Sequence, residues 1–315
     1  MPARRTFLIG LALAMAGSVL FSAKAIVVKL AYRYGVDAAT LIMLRMALSA
    51  PFFAVAYVWS SRGKPPLERS DHLRLIAIGL LGYYAASYLD FLGLQYVTAG
   101  LERLILYLNP TIVLAVSALA LGRKLTRTDW LALALAYGGI AAVVRHDVSF
   151  EGEGVALGAA LVFASAICYA LYLVMAGELV RRLGAIRLTS YAMLVSTLAV
   201  VVQFLVLNPV AALDQPPPVY WLSVVNAVFC TVVPVFAIML AVERVGASHT
   251  SLATMIGPVS TIALAFAFLG ETISAWQLAG TALVLAGIGV LSLERPPPGV
   301  SGMSVRPPGP GRRSS

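Results

Sequence analysis

Residues 99–122 read AGLERLILYLNPTIVLAVSALALG, and residues 247–270 read ASHTSLATMIGPVSTIALAFAFLG. At an offset of 148 residues Ala99 meets Ala247, Leu104 meets Leu252, Pro110 meets Pro258 and Gly122 meets Gly270. The same offset pairs Gly10 with Gly158 and Gly139 with Gly287 without a gap, so it runs through the chain rather than through one motif. A constant offset is the mark of an internal repeat. Each stretch is apolar and more than 20 residues long, enough to cross ~30 Å of hydrocarbon as a helix.

Outward from these two stretches, polar breaks divide the chain into ten apolar runs: 7–28, 39–59, 73–94, 99–121, 129–145, 155–176, 189–207, 220–242, 247–269 and 276–293. The chain is 60% hydrophobic and 12% charged, whereas soluble domains are about 45–50% apolar and about 25% charged. That excludes an ordinary soluble fold. The expected fold is an all-α membrane protein of ten transmembrane helices, built as one five-helix repeat over 7–145 and a second over 155–293. Residues 295–315, with six prolines, read as a disordered cytoplasmic tail. Arg4, Arg5 and Ala23-Lys24-Ala25 around the first run resemble a secretory signal. The run is longer than a signal core and continues to Leu30, which favours a retained helix.

The net charge of +9 suits either a polyanion partner or a membrane protein with basic cytoplasmic loops. With the N-terminus inside, 17 of the 23 Lys and Arg fall at inner breaks. Lys29, Arg33 and Arg145 fall outside, and Lys24, Arg45 and Arg103 lie within spans. Both termini are therefore expected in the cytoplasm, and a nucleic-acid partner is not. Five helices per copy is an odd number, so the second copy is expected to run upside down relative to the first, as in many transporters. Cys168 and Cys230 lie in apolar runs and suggest neither a disulfide framework nor a metal site, and no cofactor is expected.

Ala99-Gly100-Leu101, Leu108-Asn109-Pro110, Leu121-Gly122, Trp130 and Gly138-Gly139 resemble the second part of an EamA repeat. Ala247-Ser248, Gly257-Pro258, Leu269-Gly270-Glu271, Gly280 and Gly287 resemble it again, with the family's Gly-Glu ending, where the first copy has Gly122-Arg123. The resemblance, over residues 7–293, implies the drug/metabolite transporter superfamily. It implies a central cavity between the halves and export of small metabolites such as amino acids, in a bacterial cytoplasmic membrane.

Ionisable residues within hydrocarbon cost roughly 2.5–3.5 kcal/mol each unless they find partners or a wet cavity. The topology gathers Lys24, Arg45, Asp90, Glu102 and Arg103 in the outer half of the first repeat, and Glu243 and His249 near the inner boundary. Lys24, Asp90, Glu102, Arg103, Glu243 and His249 are read as gates, though the outer four also lie close enough to the interface to snorkel or pair locally. Arg45 lies deeper, about 9 Å from its end of the span, and matches an arginine found in the second helix of many EamA-type proteins. Glu102, Asp90 and His249 are the candidate proton carriers for a proton-coupled cycle.

Pro110 and Pro258 occupy equivalent places and deprive the carbonyls of Leu106 and Thr254 of their helical donor. They read as hinges, as backbone acceptors facing substrate, or as prolines that a membrane helix tolerates. Asn109 and Thr254 are their polar neighbours. Tyr84 and Tyr88 share a face, as do Arg103 and Tyr107, and Tyr169 and Tyr172. Tyr84, Tyr107, Tyr169 and Asn226 are candidates to line a pocket for a small molecule with polar and apolar parts. Gly280, Gly287 and Gly138-Gly139 suit close helix packing within the chain or a homodimer seam. Against an intramembrane enzyme, Tyr88-Leu89-Asp90 has no Gly-x-Gly-Asp partner, and zinc, nucleophile-elbow and phosphate-loop motifs are missing. A passive channel would need a continuous polar lining, whereas these charges cluster at the ends.

Overall fold

The computed structural model describes residues 2–121, 126–151, 154–254 and 256–294, with some helix positions described by backbone alone. The expected tail, 295–315, lies outside the described residues. All described regular structure is helical. In order come α1 (Pro2–Tyr32), α2 (Ala38–Ser61), α3 (Arg69–Gly79), α4 (Ala86–Gly93), α5 (Ala99–Leu106), α6 (Asn109–Leu121) and α7 (Arg127–Glu151). The second half holds α8 (Gly154–Leu183), α9 (Ala185–Leu207), α10 (Pro217–Ala227), α11 (Val233–Thr254), α12 (Gly257–Leu264) and α13 (Ala275–Glu294). Seven of the described rods are long and apolar enough to cross a bilayer, while Gly257–Leu269 and Ala275–Gly287 are shorter apolar helices. The protein is a multi-pass membrane protein. The expected run 129–145 lies inside α7.

Two expected continuous runs are divided instead. The run 99–121 breaks at Tyr107–Leu108, between α5 and α6, and the run 247–269 breaks before α12. Each break falls just ahead of a proline, because proline disfavours helical geometry in the residue before it but is welcome in a first turn. The expected loop between 242 and 247 is helical within α11. The chain nevertheless turns back there: Gly17 packs on Ile238 and Gly10 on Val245, yet Ser18 donates to the Thr254 carbonyl at 2.7 Å.

The repeat is visible as packing. α1 lies along α10 and α11, and its offset counterpart α8 lies along α3 and α4. α1 also meets α12, as α8 meets α5 and α6. The counterparts α2 and α9 pack on each other, with Thr197 near the Met46 carbonyl and Tyr191 against Tyr57, so they run in opposite directions. α7 and α13 also pair antiparallel, with Gly139 at Gly280 and Gly287 at Ala132. The two copies are therefore inverted. A Cβ on Gly287 would lie 2.7 Å from the Ala132 carbonyl oxygen, so these glycines serve contact within the chain.

A π-helical segment, Leu80–Ala85, joins α3 to α4, and a second, Val228–Val232, joins α10 to α11. The two are related by the same offset of 148, and neither was legible as a residue pattern. A π turn shifts the side chains beyond it around the helix. Gly82 sits in the first, where a Cβ would lie 2.4 Å from the Tyr172 ring.

Candidate functional site

α1 is apolar along most of its length, so the ammonium of Lys24 needs partners close by. α4 and α5 supply them. Lys24 Nζ donates to Asp90 Oδ2 at 2.5 Å and lies 3.3 Å from Glu102 Oε1. All three are buried, and Glu102 is 0% exposed. The Lys24–Glu102 contact is an ion contact without hydrogen-bond alignment: both Glu102 oxygens and Asp90 Oδ1 lack hydrogen-bond partners among the described residues. One ammonium thus ties three helices of the first repeat together, and separating α1 from α4 and α5 would leave two carboxylates exposed to whatever fills the gap.

Arg103, next to Glu102, turns toward α1 and the start of α12. Its Nη2 donates to Ser22 Oγ at 2.6 Å, and its guanidinium lies between the rings of Phe21 (5.3 Å) and Tyr107 (5.6 Å). Ser22 Oγ lies 3.0 Å from the Gly257 carbonyl oxygen and 2.8 Å from that of Ser18. The Tyr107 hydroxyl donates to the Thr254 carbonyl at 2.9 Å. The two carbonyls that proline deprives are thus both satisfied. That of Leu106 accepts from Asn109 Nδ2 at 2.9 Å, and that of Thr254 accepts from Ser18 and Tyr107. The break in the second repeat is stitched by side chains of the first. Ser18, Ser22 and Phe21 were missed in the sequence, where a serine in an apolar run signals only small size.

Gly257 allows this approach, since a Cβ there would lie 2.3 Å from the Tyr107 hydroxyl and 3.0 Å from Ser18 Oγ. Gly257→Ala is expected to cost about 1–3 kcal/mol of stability in detergent. The loss should shrink when Tyr107→Phe is added, because the clash and the bond share one oxygen. Additive effects in the thermal unfolding of the double variant would show that the two groups do not meet.

Arg45, on α2, is 5% exposed. Its guanidinium lies 5.0 Å over the Phe91 ring, Nη2 donates to Ser87 Oγ at 3.2 Å, and Nε has no hydrogen-bond partner. No carboxylate among the described residues lies within ion-pair distance of it. Asn226, on α10, is fully buried, and both atoms of its side-chain amide lack partners among the described residues.

At the end of the molecule beyond Lys24, α1 meets the segment leading into α13. The Glu271 carboxylate accepts from the Ala99 N–H, with both oxygens at 3.1 Å, and lies 3.5 Å from Lys29 Nζ. Lys29 Nζ donates to the Val97 carbonyl at 2.7 Å and Arg33 to that of Leu269 at 2.8 Å. Lys29, Tyr32, Arg33, Thr98, Leu269 and Glu271 line an open cleft of about 390 Å³. At the opposite end, Arg182 pairs with Asp71, Arg187 donates to the Pro65 carbonyl and Lys64 to that of Leu183.

A model of the EamA-like transporter family matches residues 8–145 and, a second time, residues 156–293. The chain belongs to that family. EamA-like transporters form part of the drug/metabolite transporter superfamily. Similar proteins include the uncharacterized transporter YcbK of Bacillus subtilis, 29% identical over 84% of this chain and 86% of its own. The uncharacterized transporter YyaM of the same organism is 25% identical over 78% and 81%. A crystal structure with 18% identity superposes with a TM-score of 0.61 over 90% of this chain and 96% of that one, and so shares the fold.

In this EamA-like transporter the remaining candidates are spread out. Tyr84 and Tyr88 stack at 6.4 Å and pack with the apolar cluster around α1, α2 and α4. Tyr169 joins Tyr172 (rings 5.3 Å apart) and Tyr83, whose hydroxyl lies 3.1 Å from that of Tyr172, in a separate cluster of α3, α8 and α9. Tyr107 belongs to a third, around α5, α7 and α8. The tyrosines thus occupy three packing environments, because the faces of three different rods set their directions. The side chains of Glu243 and His249 lie outside the described residues.

Proposed function

We propose that this EamA-like transporter is a secondary carrier that exports small metabolites such as amino acids by alternating access across a bacterial cytoplasmic membrane. Ten crossings with both termini in the cytoplasm follow from the sorting of Lys and Arg, which puts the Glu271 end outside. The observation that carries the reading is the antiparallel pairing of α2 with α9 and of α7 with α13, each a pair of repeat counterparts. Inverted halves can exchange conformations, which turns a pathway open at one end into one open at the other.

Lys24, Asp90, Glu102 and Arg103 form the outer gate in this reading, and Glu243 and His249 serve the inner boundary. Arg45 with Asn226 receives the substrate's carboxylate and polar groups inside a central cavity. Tyr84 and Tyr88 face its apolar part, Tyr107, Asn109 and Thr254 serve the two helix breaks, Pro110 and Pro258 are the hinges, and Tyr169 supports the wall from the packing of α3, α8 and α9. Glu102, Asp90 or His249 carries a coupled proton. The transport unit is a monomer or a homodimer in the bilayer.

Purified protein in liposomes preloaded with unlabelled amino acids should drive saturable counterflow of the labelled compounds. Flux that never saturates would replace the carrier with a channel, and conversion of the compound would replace it with an enzyme.

A further inference from the structure

The Gly270-Glu271 dipeptide ends the second repeat's broken helix and reaches the first repeat. Gly270 adopts φ +70°, a left-handed conformation that glycine takes without the Cβ penalty. The chain thereby turns sharply after Leu269, and Glu271 meets the start of α5. Among the described residues the first turn of α5 is otherwise capped only by its own Thr98, whose hydroxyl accepts from the Leu101 N–H at 3.1 Å. The Ala99 N–H is met from the other repeat, by a carboxylate that also suits the positive end of the helix dipole. α5 is eight residues long before its break at Tyr107, too short to hold its own position without such contacts. It carries Glu102 and Arg103, one turn beyond the capped amide.

We propose that Glu271 is a positioning residue for the outer gate. By holding the start of α5 against α1, it keeps Glu102 and Arg103 at Lys24 and Ser22, and its release is the first step of opening outward. This rests on the carrier reading above. Lys24 meets Glu102 within α5, and Lys29 meets Val97 and Glu271 beside its start, so latch and gate act on the same short helix at two depths. Lys29 reinforces the latch by bonding the Val97 carbonyl and facing Glu271. Arg33 holds the Leu269 carbonyl, and Gln277 Nε2 lies 3.4 Å from Thr98 Oγ1. The offset puts Arg123 where Glu271 stands, so a carboxylate occupies this position in one copy only.

The test is the distance between spin labels at Tyr34→Cys and Ile273→Cys, two exposed positions on either side of the latch. The full chain is used in nanodiscs, in a background with Cys168→Ser and Cys230→Ser. Glu271→Gln keeps an acceptor for the Ala99 N–H but turns a charge-assisted bond into a neutral one. It should raise the population at the longer distance about fivefold with the unfolding midpoint unchanged. Lys29→Met, which leaves Glu271 in place, should move the same population in the same direction. A paired gate variant, Asp90→Asn with Glu102→Gln, separates the possible failures. If it lengthens the distance and the two latch variants do not, the positioning role is wrong and alternating access stands. If none of the three does, alternating access falls as well.

Discussion

Lys24→Met should lower the unfolding midpoint in detergent by on the order of 10 °C, the largest stability loss expected of any single exchange in the buried cluster of Lys24, Asp90, Glu102 and Arg103. Removing one partner of a buried ion cluster costs about 3–5 kcal/mol, because the remaining charges stay buried without compensation. Here two carboxylates depend on one ammonium, and among the described residues their remaining oxygens have no hydrogen bonds to fall back on. The methionine fills nearly the same volume, so packing contributes little to the change. Adding Asp90→Asn and Glu102→Gln to Lys24→Met should recover most of the loss by removing the orphaned charges. Little loss in the single variant, or no recovery in the triple one, would mean that the ammonium does not hold α1, α4 and α5 together.

Arg45→Gln should reduce transport by roughly 10–100-fold while leaving insertion and thermal stability close to those of the parent, as befits the loss of a charge-assisted contact to substrate. The expected stability is the informative half. A guanidinium that held the fold would be bonded to it, whereas Arg45 has one long hydrogen bond to Ser87 and the face of Phe91. Its Nε has no hydrogen-bond partner among the described residues and can serve an anion. Arg45→Lys keeps the charge but loses the fork and should fall between the two. Blocking the carboxylate of a transported amino acid as a methyl ester should cost the parent protein more than it costs Arg45→Gln. Equal losses in both proteins would place the carboxylate elsewhere.

The family, the helical class and the two copies were legible in the residues, because each rests on a one-dimensional signal. Membrane spans need apolar runs of a set length, and duplication leaves landmarks such as Pro110 and Pro258 at a constant offset. The places where helices break were partly legible. Proline marked both sites, and the polar break at 243–246 marked the reversal, but that α11 stays helical through it had no local signature.

The buried charges and the helix breaks differ in how far the sequence reached. Lys24, Asp90 and Glu102 could be named from cost alone, as charges in hydrocarbon that must find one another. That Arg103 pairs with Ser22 rather than with an acid, that Tyr107 caps a carbonyl 147 residues away, and that Glu271 caps α5 were decided by tertiary structure. Hydrogen bonds are short-ranged and directional, so a side chain's partner depends on the rotation and height of each rod. The π turns at Leu80–Ala85, Val228–Val232 and Ala265–Leu269 and the packing of glycines between the halves set those quantities, and no local residue pattern announces them. Sequence alone thus determined which residues are costly to bury and how many times the unit occurs. The folded chain determined which of its polar atoms are paired and which are left over.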